Sequence, residues 1–198
     1  MRILSEKGSL DFLEEEEFNV VPRKFFVTRF GLKRAIKEVG TKSTMEAIGR
    51  NSFVLEKEIE IPKNYTLAVF EFKRLKKLKG FKKISLKEKI NGKNFFVKLE
   101  REGKKGSLSF SFLNFKESQP RILISKLFPI NKLKLRRMIK NSKFPKTISK
   151  RVKANFENFV LNLYEFFKKD LKIKKIEIGS LFVNEKNSIV YSARVFLK

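Results

Sequence analysis

The sequence predicts an α/β fold with mixed sheets and flanking helices, closing in a helix that feeds an antiparallel hairpin. Three observations predict it. From Ser149, a helix-start residue, Val152, Phe156, Phe159, Val160, Leu163 and Phe167 recur at the three-and-four spacing of one buried helical face, which ends near Asp170. Ile173, Ile176, Ile178, Leu181 and Val183 then form a β-rich run, Asn184-Glu185-Lys186-Asn187 supplies turn chemistry, and 188–197 returns as a second strand. Upstream, Ser107, Ser109 and Ser111 alternate with Leu108, Phe110 and Phe112 at the period of two that a half-buried strand requires.

The earlier elements follow in order. Leu10, Phe12 and Leu13 stand among Glu14, Glu15, Glu16 and Glu17, a helix that should stop by Glu16 because acids oppose the dipole at a helix C-terminus. Val20, Val21, Phe25, Phe26 and Val27 read as a strand, with Pro22 marking an edge or a break. Leu32, Ala35, Ile36 and Val39 make a helical stripe ending at Gly40, and a second short helix is expected over 43–48. After a turn at Gly49-Arg50-Asn51, Phe53 to Ile61 reads as a strand, and Pro62-Lys63-Asn64 as a second turn. Phe95, Phe96, Val97 and Leu99 pair with the alternating strand as a hairpin around Glu102-Gly103-Lys104-Lys105-Gly106. Asn131 caps a helix whose Leu135, Met138 and Ile139 face inward. Alternating aromatics on a strand also suit base stacking, but no glycine-rich consensus accompanies them, so core packing is the better reading.

Charge is the strongest compositional feature. The chain of 198 residues carries 47 Lys+Arg against 21 Asp+Glu, a formal net charge of +26. That excess invites a polyanionic partner. Lysine-rich composition also arises from an AT-rich genome or from a thermophile, although Lys enrichment alone leaves the scarcity of Glu unexplained. Between Lys73 and Lys93 lie ten bases and one acid, Glu88. From Ser118 to Phe156 there is no acid at all. The candidate nucleic-acid-binding residues are Lys132, Lys134, Arg136, Arg137, Lys140, Lys143, Lys146, Lys150, Arg151 and Lys153; Lys132, Arg136 and Lys140 share one helical face opposite the core stripe. With no Cys and no His, the chain excludes disulfides, imidazole or thiolate metal sites, and Cys or Ser-His nucleophiles. Neither a membrane span nor a secretory signal is recognisable, so a cytoplasmic protein is expected.

Three blocks carry a family resemblance. Ile176-Glu177-Ile178-Gly179-Ser180-Leu181-Phe182-Val183 with Ile189-Val190-Tyr191-Ser192-Ala193-Arg194-Val195, the stretch Phe128-Pro129-Ile130 through Met138-Ile139 to Phe144-Pro145, and the order of elements from Leu4 to Val27 resemble the ATP-grasp β subunit of ADP-forming acyl-CoA synthetases. The resemblance implies an ATP-grasp-like fold in two subdomains, here 1–80 and 81–198, the second containing the basic segment 118–156. It also locates departures. Gly179 and Ser192 stand where the family has its magnesium-binding Asn and Asp, Glu177 occupies a family Asp position, and Glu56 or Lys57 stands near the family's phosphate-binding Lys. At the family's glycine-rich phosphate loop, Leu113-Asn114-Phe115-Lys116-Glu117 has no glycine, so backbone amides cannot wrap a phosphate in that way.

The sequence therefore supports three readings. The first is a non-catalytic ATP-grasp-like protein, a pseudoenzyme without a required cofactor, that binds nucleic acid or a ribonucleoprotein. The alternative is an inactive or weakly nucleotide-binding partner subunit of an acyl-CoA synthetase-like complex, with Glu177 as the residual contact to Mg-ATP. The third is an active ADP-forming ligase using Glu177 and Glu117.

Overall fold

The computed structural model describes residues 1–39, 43–49, 54–60, 65–102, 105–113, 124–127, 131–142, 144–145 and 147–198. Outside them lie the turns expected at 50–51 and 62–64, the Phe128-Pro129-Ile130 stretch, most of the glycine-free loop with Glu117, and the candidate residues Lys143 and Lys146. The described elements are β1 (Arg2–Ile3), α1 (Glu6–Glu15), β2 (Arg23–Phe26), α2 (Arg29–Val39), β3 (Ser43–Gly49), β4 (Val54–Glu60), α3 (Tyr65–Lys76) and β5 (Phe81–Glu88). Then follow β6 (Lys93–Glu102), β7 (Lys105–Phe112), β8 (Ile124–Leu127), α4 (Lys132–Asn141), α5 (Lys150–Lys169), β9 (Ile173–Val183) and β10 (Ser188–Leu197).

These elements form two units that are not consecutive in sequence. Val21–Ile90 makes one, while Met1–Val20 joins Asn91–Lys198 in the other, in place of the division at residue 80. The reason lies in strand pairing: β1 closes the edge of the larger sheet by pairing Arg2 with Leu197 and Ile3 with Phe196. Leu4 donates its N–H to the Val195 carbonyl, and the buried Ser9 hydroxyl accepts from the Val195 N–H at 3.0 Å. The first helix is thus tied to the last strand.

The larger unit is a six-stranded sheet of order β1-β10-β9-β6-β7-β8 with antiparallel ladders; a parallel bridge joins Val20 to Val190. One face is apolar. Leu10 and Leu13 of α1, Leu135, Met138 and Ile139 of α4, and Val152, Phe156, Phe159, Val160, Leu163 and Phe167 of α5 pack in a single core with Phe95, Val97, Leu108, Phe110, Ile176, Ile178 and Leu181 of the sheet. Phe156 is its centre, stacked on Phe95 at 4.4 Å between centroids and meeting Phe110 edge-on at 5.4 Å. Such pairs add about 0.5–1.5 kcal/mol beyond burial. The strand aromatics expected to be core are core.

Local chemistry sets the helix limits. Ser149 accepts from the Val152 N–H and Asn131 from the Lys134 N–H, both as N-caps, and α5 ends with Asp170 as C-cap. Helix α1 stops as its acids predict, the Glu17 N–H donating to the Glu14 carbonyl and the Phe18 N–H to the Leu13 carbonyl, with Glu17 at φ 65° where glycine is usual. Past α5, the Arg101 guanidinium donates to the carbonyls of Phe167, Lys168, Asp170 and Ile173 and lies 4.5 Å from the Phe167 ring centroid, satisfying acceptors that a helix end leaves open. The hairpin turn is held by the Asn184 side chain, which accepts from the Lys186 and Asn187 N–H groups.

The smaller unit is a four-stranded sheet of order β2-β5-β3-β4. Its core joins Met45, Ala47, Ile84 and Leu86 to Leu32 and Ala35 of α2 and Ala68, Val69, Phe72 and Leu75 of α3. The short helix expected over 43–48 is instead the strand β3. It lies between β5 and β4, with Met45 opposite Leu86 on one side and Ile59 on the other. Two ladders and a wholly buried position override weak helical propensity.

Candidate functional site

The second face of the six-stranded sheet is polar. Because side chains alternate along a strand, the burial of Val97, Leu99, Ile176 and Ile178 against the helices puts Lys98, Glu100, Lys175 and Glu177 on the opposite face. Strand register then brings the four together. Lys98 stands opposite Glu177, and Glu100 opposite Lys175. Along each strand the ammonium meets the neighbouring carboxylate, Lys98 to Glu100 at 2.5 Å and Lys175 to Glu177 at 2.5 Å. Charge therefore alternates along and across the strands. The hydrogen bond from Lys98 holds the Glu100 carboxyl below the usual carboxylate range, against an opposing desolvation, with the positive charges of Lys98, Lys175 and Lys174 adding to it.

The next strand adds a third cation. Arg194 is opposite Glu177 across β9 and β10, while Phe196 is opposite Lys175 and its ring centroid lies 4.7 Å from that ammonium. One step along, Phe95 pairs with Leu181 but Val97 with Ile178, so β9 carries an extra residue at Gly179-Ser180, a β-bulge. A Cβ at Gly179 would stand 2.8 Å from the Ser192 Oγ, so a side chain there requires that hydroxyl to give way. The two positions that depart from the family pattern are therefore spatially coupled, the serine hydroxyl filling the space a side chain at 179 needs. Asn94 donates to the Ser180 hydroxyl at 3.3 Å, and the buried Phe182 and Tyr191 rings meet edge-on at 5.3 Å.

This arrangement suits anions better than a metal ion. Lys98, Lys175 and Arg194 outnumber Glu100 and Glu177, and each carboxylate already has an ammonium at bonding distance. Among the described residues no group of three His, Cys, Asp or Glu side chains could hold a metal. Magnesium is a hard cation that wants carboxylate and water oxygens, and Glu177, between Lys175, Lys98 and Arg194, does not fit it. The excess of cations favours a phosphate over a metal ion there.

The basic residues lie elsewhere, on α4 and α5. Lys134, Arg136, Arg137, Lys140, Lys150 and Arg151 are exposed and Lys153 is half-buried. Arg136 turns toward α5 and bonds Glu157 at 2.8 Å, so it belongs to the helix pairing more than to an open surface.

Sequence reasoning missed one pair of charges. On the β3–β5 face turned from α2 and α3, the Lys87 ammonium lies 2.8 Å from Glu46, with side chains only 1% and 8% exposed. Glu46 is opposite the buried Ser85, and Lys87 opposite the buried Thr44. The alternation of Ser85, Lys87 with Ile84, Leu86 carries the signal, but Lys87 stands within the ten-base stretch and Glu46 within the segment expected to be helical.

No protein-family model matches the chain, and no curated protein matches it in sequence. Solved structures do match. The dinucleotide-forming acetyl-coenzyme A synthetase 1 of Ca. Korarchaeum cryptofilum, in complex with coenzyme A, acetyl-coenzyme A and a phosphorylated phosphohistidine segment, superposes with a TM-score of 0.78 at 11% identity, covering 100% of this chain and 94% of that one. The fold is ATP-grasp-like. PH1788 from Pyrococcus horikoshii gives a TM-score of 0.74 at 13% identity over 99% and 92% of the two chains. ATP citrate lyase from Methanothrix soehngenii, in complex with citrate and coenzyme A, gives 0.55 at 10% identity over 89% of this chain and 44% of the longer one. At these identities the correspondence is one of fold.

Proposed function

We propose that the chain is a subunit of an ADP-forming acyl-CoA synthetase-like assembly, one that binds nucleotide weakly and supplies no catalytic residue of its own. The observation that carries this reading is the match of whole chain to whole chain with the acetyl-coenzyme A synthetase structure, 100% of one and 94% of the other. The sequence resemblance in the last hairpin points the same way. The comparisons offer no support for the nucleic-acid reading that the basic residues suggest.

The site chemistry supports a reduced role. Nucleotide phosphates would meet Lys98, Lys175 and Arg194, while Gly179 and Ser192 offer neither carboxylate nor amide to a metal. The 198 residues contain no histidine, so a phosphohistidine relay in such an assembly has to come from outside them. A protein partner is thus part of the proposal.

The test is a thermal-unfolding titration of the purified chain with ATP, with and without magnesium, alongside an assay of ATP turnover with acetate and coenzyme A. At a ligand concentration ten times Kd, binding adds about 1.4 kcal/mol. The reading expects a saturable shift at high ATP that does not depend on magnesium, and no turnover. Turnover by the chain alone contradicts it, as does an unfolding transition that ATP leaves unmoved.

A further inference from the structure

We propose that the exposed face shared by α4 and the start of α5 binds the phosphate backbone of double-stranded nucleic acid, a function independent of the subunit reading above.

The geometry of the helix pair comes first. The Arg136–Glu157 ion pair fixes where α4 and α5 meet. From that contact, one turn toward the connecting segment leads to Lys140 on α4 and Lys153 on α5, about 6 Å along each axis, and α5 begins shortly beyond with Lys150 and Arg151. Arg137 and Lys140 are three residues apart and point away from the buried Leu135, Met138 and Ile139, at the centre of the exposed face. Lys150 and Arg151 likewise lie opposite the buried Val152 and Phe156 stripe. All four are exposed.

At the start of α5 the placement works against stability. Neither helix has an acid in its first turn, and α5 opens on Lys150, Arg151 and Lys153, positive charge at the positive end of the helix dipole. Within 118–156 no acid offsets these bases. A face kept only for solubility would intersperse both signs. Concentrated positive charge at the end of α4 and the start of α5 is complementary to a line of phosphates.

Composition of the face selects the partner. Protein interfaces have an apolar core and are depleted of lysine, whereas on this face Leu133 is the exposed large apolar side chain among the described residues. Single-stranded nucleic acid needs aromatic platforms for its bases, and Phe156 and Phe159 are buried. What is left is a sequence-indifferent contact to duplex phosphates.

The experiment measures affinity for a random-sequence DNA duplex as a function of salt. The wild-type chain should bind at low salt with a steep slope of log affinity against log salt. Replacing Arg137, Lys140, Lys150 and Arg151 together with Ala should reduce that slope by about three to four units. The conservative set Arg137→Lys, Lys140→Arg, Lys150→Arg and Arg151→Lys should retain it, because the contact is to charge, and an alanine variant with the wild-type circular dichroism spectrum excludes a folding defect. Replacing Lys73, Lys77 and Lys79 on the other unit should leave it nearly unchanged. The proposal is overturned if the alanine variant keeps the wild-type slope, if the conservative set loses it, if the Lys73 set reproduces the loss, if single-stranded DNA binds as tightly as duplex, or if no duplex binding occurs at low salt.

Discussion

Lys87→Met keeps the length of the side chain while deleting the ammonium 2.8 Å from Glu46. At that separation, with an effective dielectric constant of about 20, the direct attraction is about 6 kcal/mol before desolvation is subtracted. Both side chains are almost wholly removed from water, so much of that attraction is offset by the desolvation of the two charges. The net value of the pair is therefore small. Breaking it is a different matter: removing one charge of a buried pair typically costs about 3–5 kcal/mol. We expect Lys87→Met to lose about that much in urea unfolding followed by circular dichroism. The double variant Glu46→Leu with Lys87→Met removes both charges and should recover most of the loss, giving a coupling energy of at least about 2 kcal/mol. A loss below about 1 kcal/mol for the single variant, or strict additivity in the cycle, would refute the reasoning and place water beside the pair.

Other expectations follow from the same geometry. Leu163→Ala, at a fully buried position of α5, should cost about 2–5 kcal/mol, and a surface-like change under ~0.5 kcal/mol would mean that this helix face is not buried. Gly179→Ala should destabilise by about 1–3 kcal/mol through the approach to Ser192, and a Ser192→Ala background should relieve most of it; equal losses in both backgrounds contradict the interlock. Glu100 has a lowered pKa because Lys98 bonds it, so its stabilising contribution is full above the unfolded carboxylate pKa and is lost as pH falls through the lower folded value. Lys98→Met should raise the Glu100 titration midpoint measured by NMR, and an unmoved midpoint would show that another group sets it.

The end of the chain was the most legible part of the sequence because its signals are local. Ser149, the apolar stripe from Val152 to Phe167, Asp170 and the Asn184 turn lie within a few residues of the structures they specify, and each element runs as its spacing indicates. The four-glutamate stop of α1 was readable for the same reason. What failed depended on distant partners. A segment such as Ser43–Gly49 becomes a strand because β5 and β4 flank it, and nothing within its own seven residues records those neighbours. That Met1–Val20 joins the unit of Asn91–Lys198 was not readable, because β1 returns to pair with β10 across almost the whole chain. The candidate site was legible at Glu177, Gly179 and Ser192, but their meaning was not. The alternation of Lys98, Glu100, Lys175 and Glu177 exists only once register is set, and the Gly179–Ser192 contact only once the bulge shifts that register.

The central claim is that this chain works as one member of an acyl-CoA synthetase-like assembly. Purification of the native complex from its source cells, followed by its subunit stoichiometry and a test for phosphohistidine after incubation with Mg-ATP, addresses it most directly. The account predicts a stoichiometric complex with a histidine-bearing acyl-CoA synthetase-type chain, phosphorylated on that partner's histidine. Elution of this chain alone, or only in a particle that nuclease disperses, contradicts it.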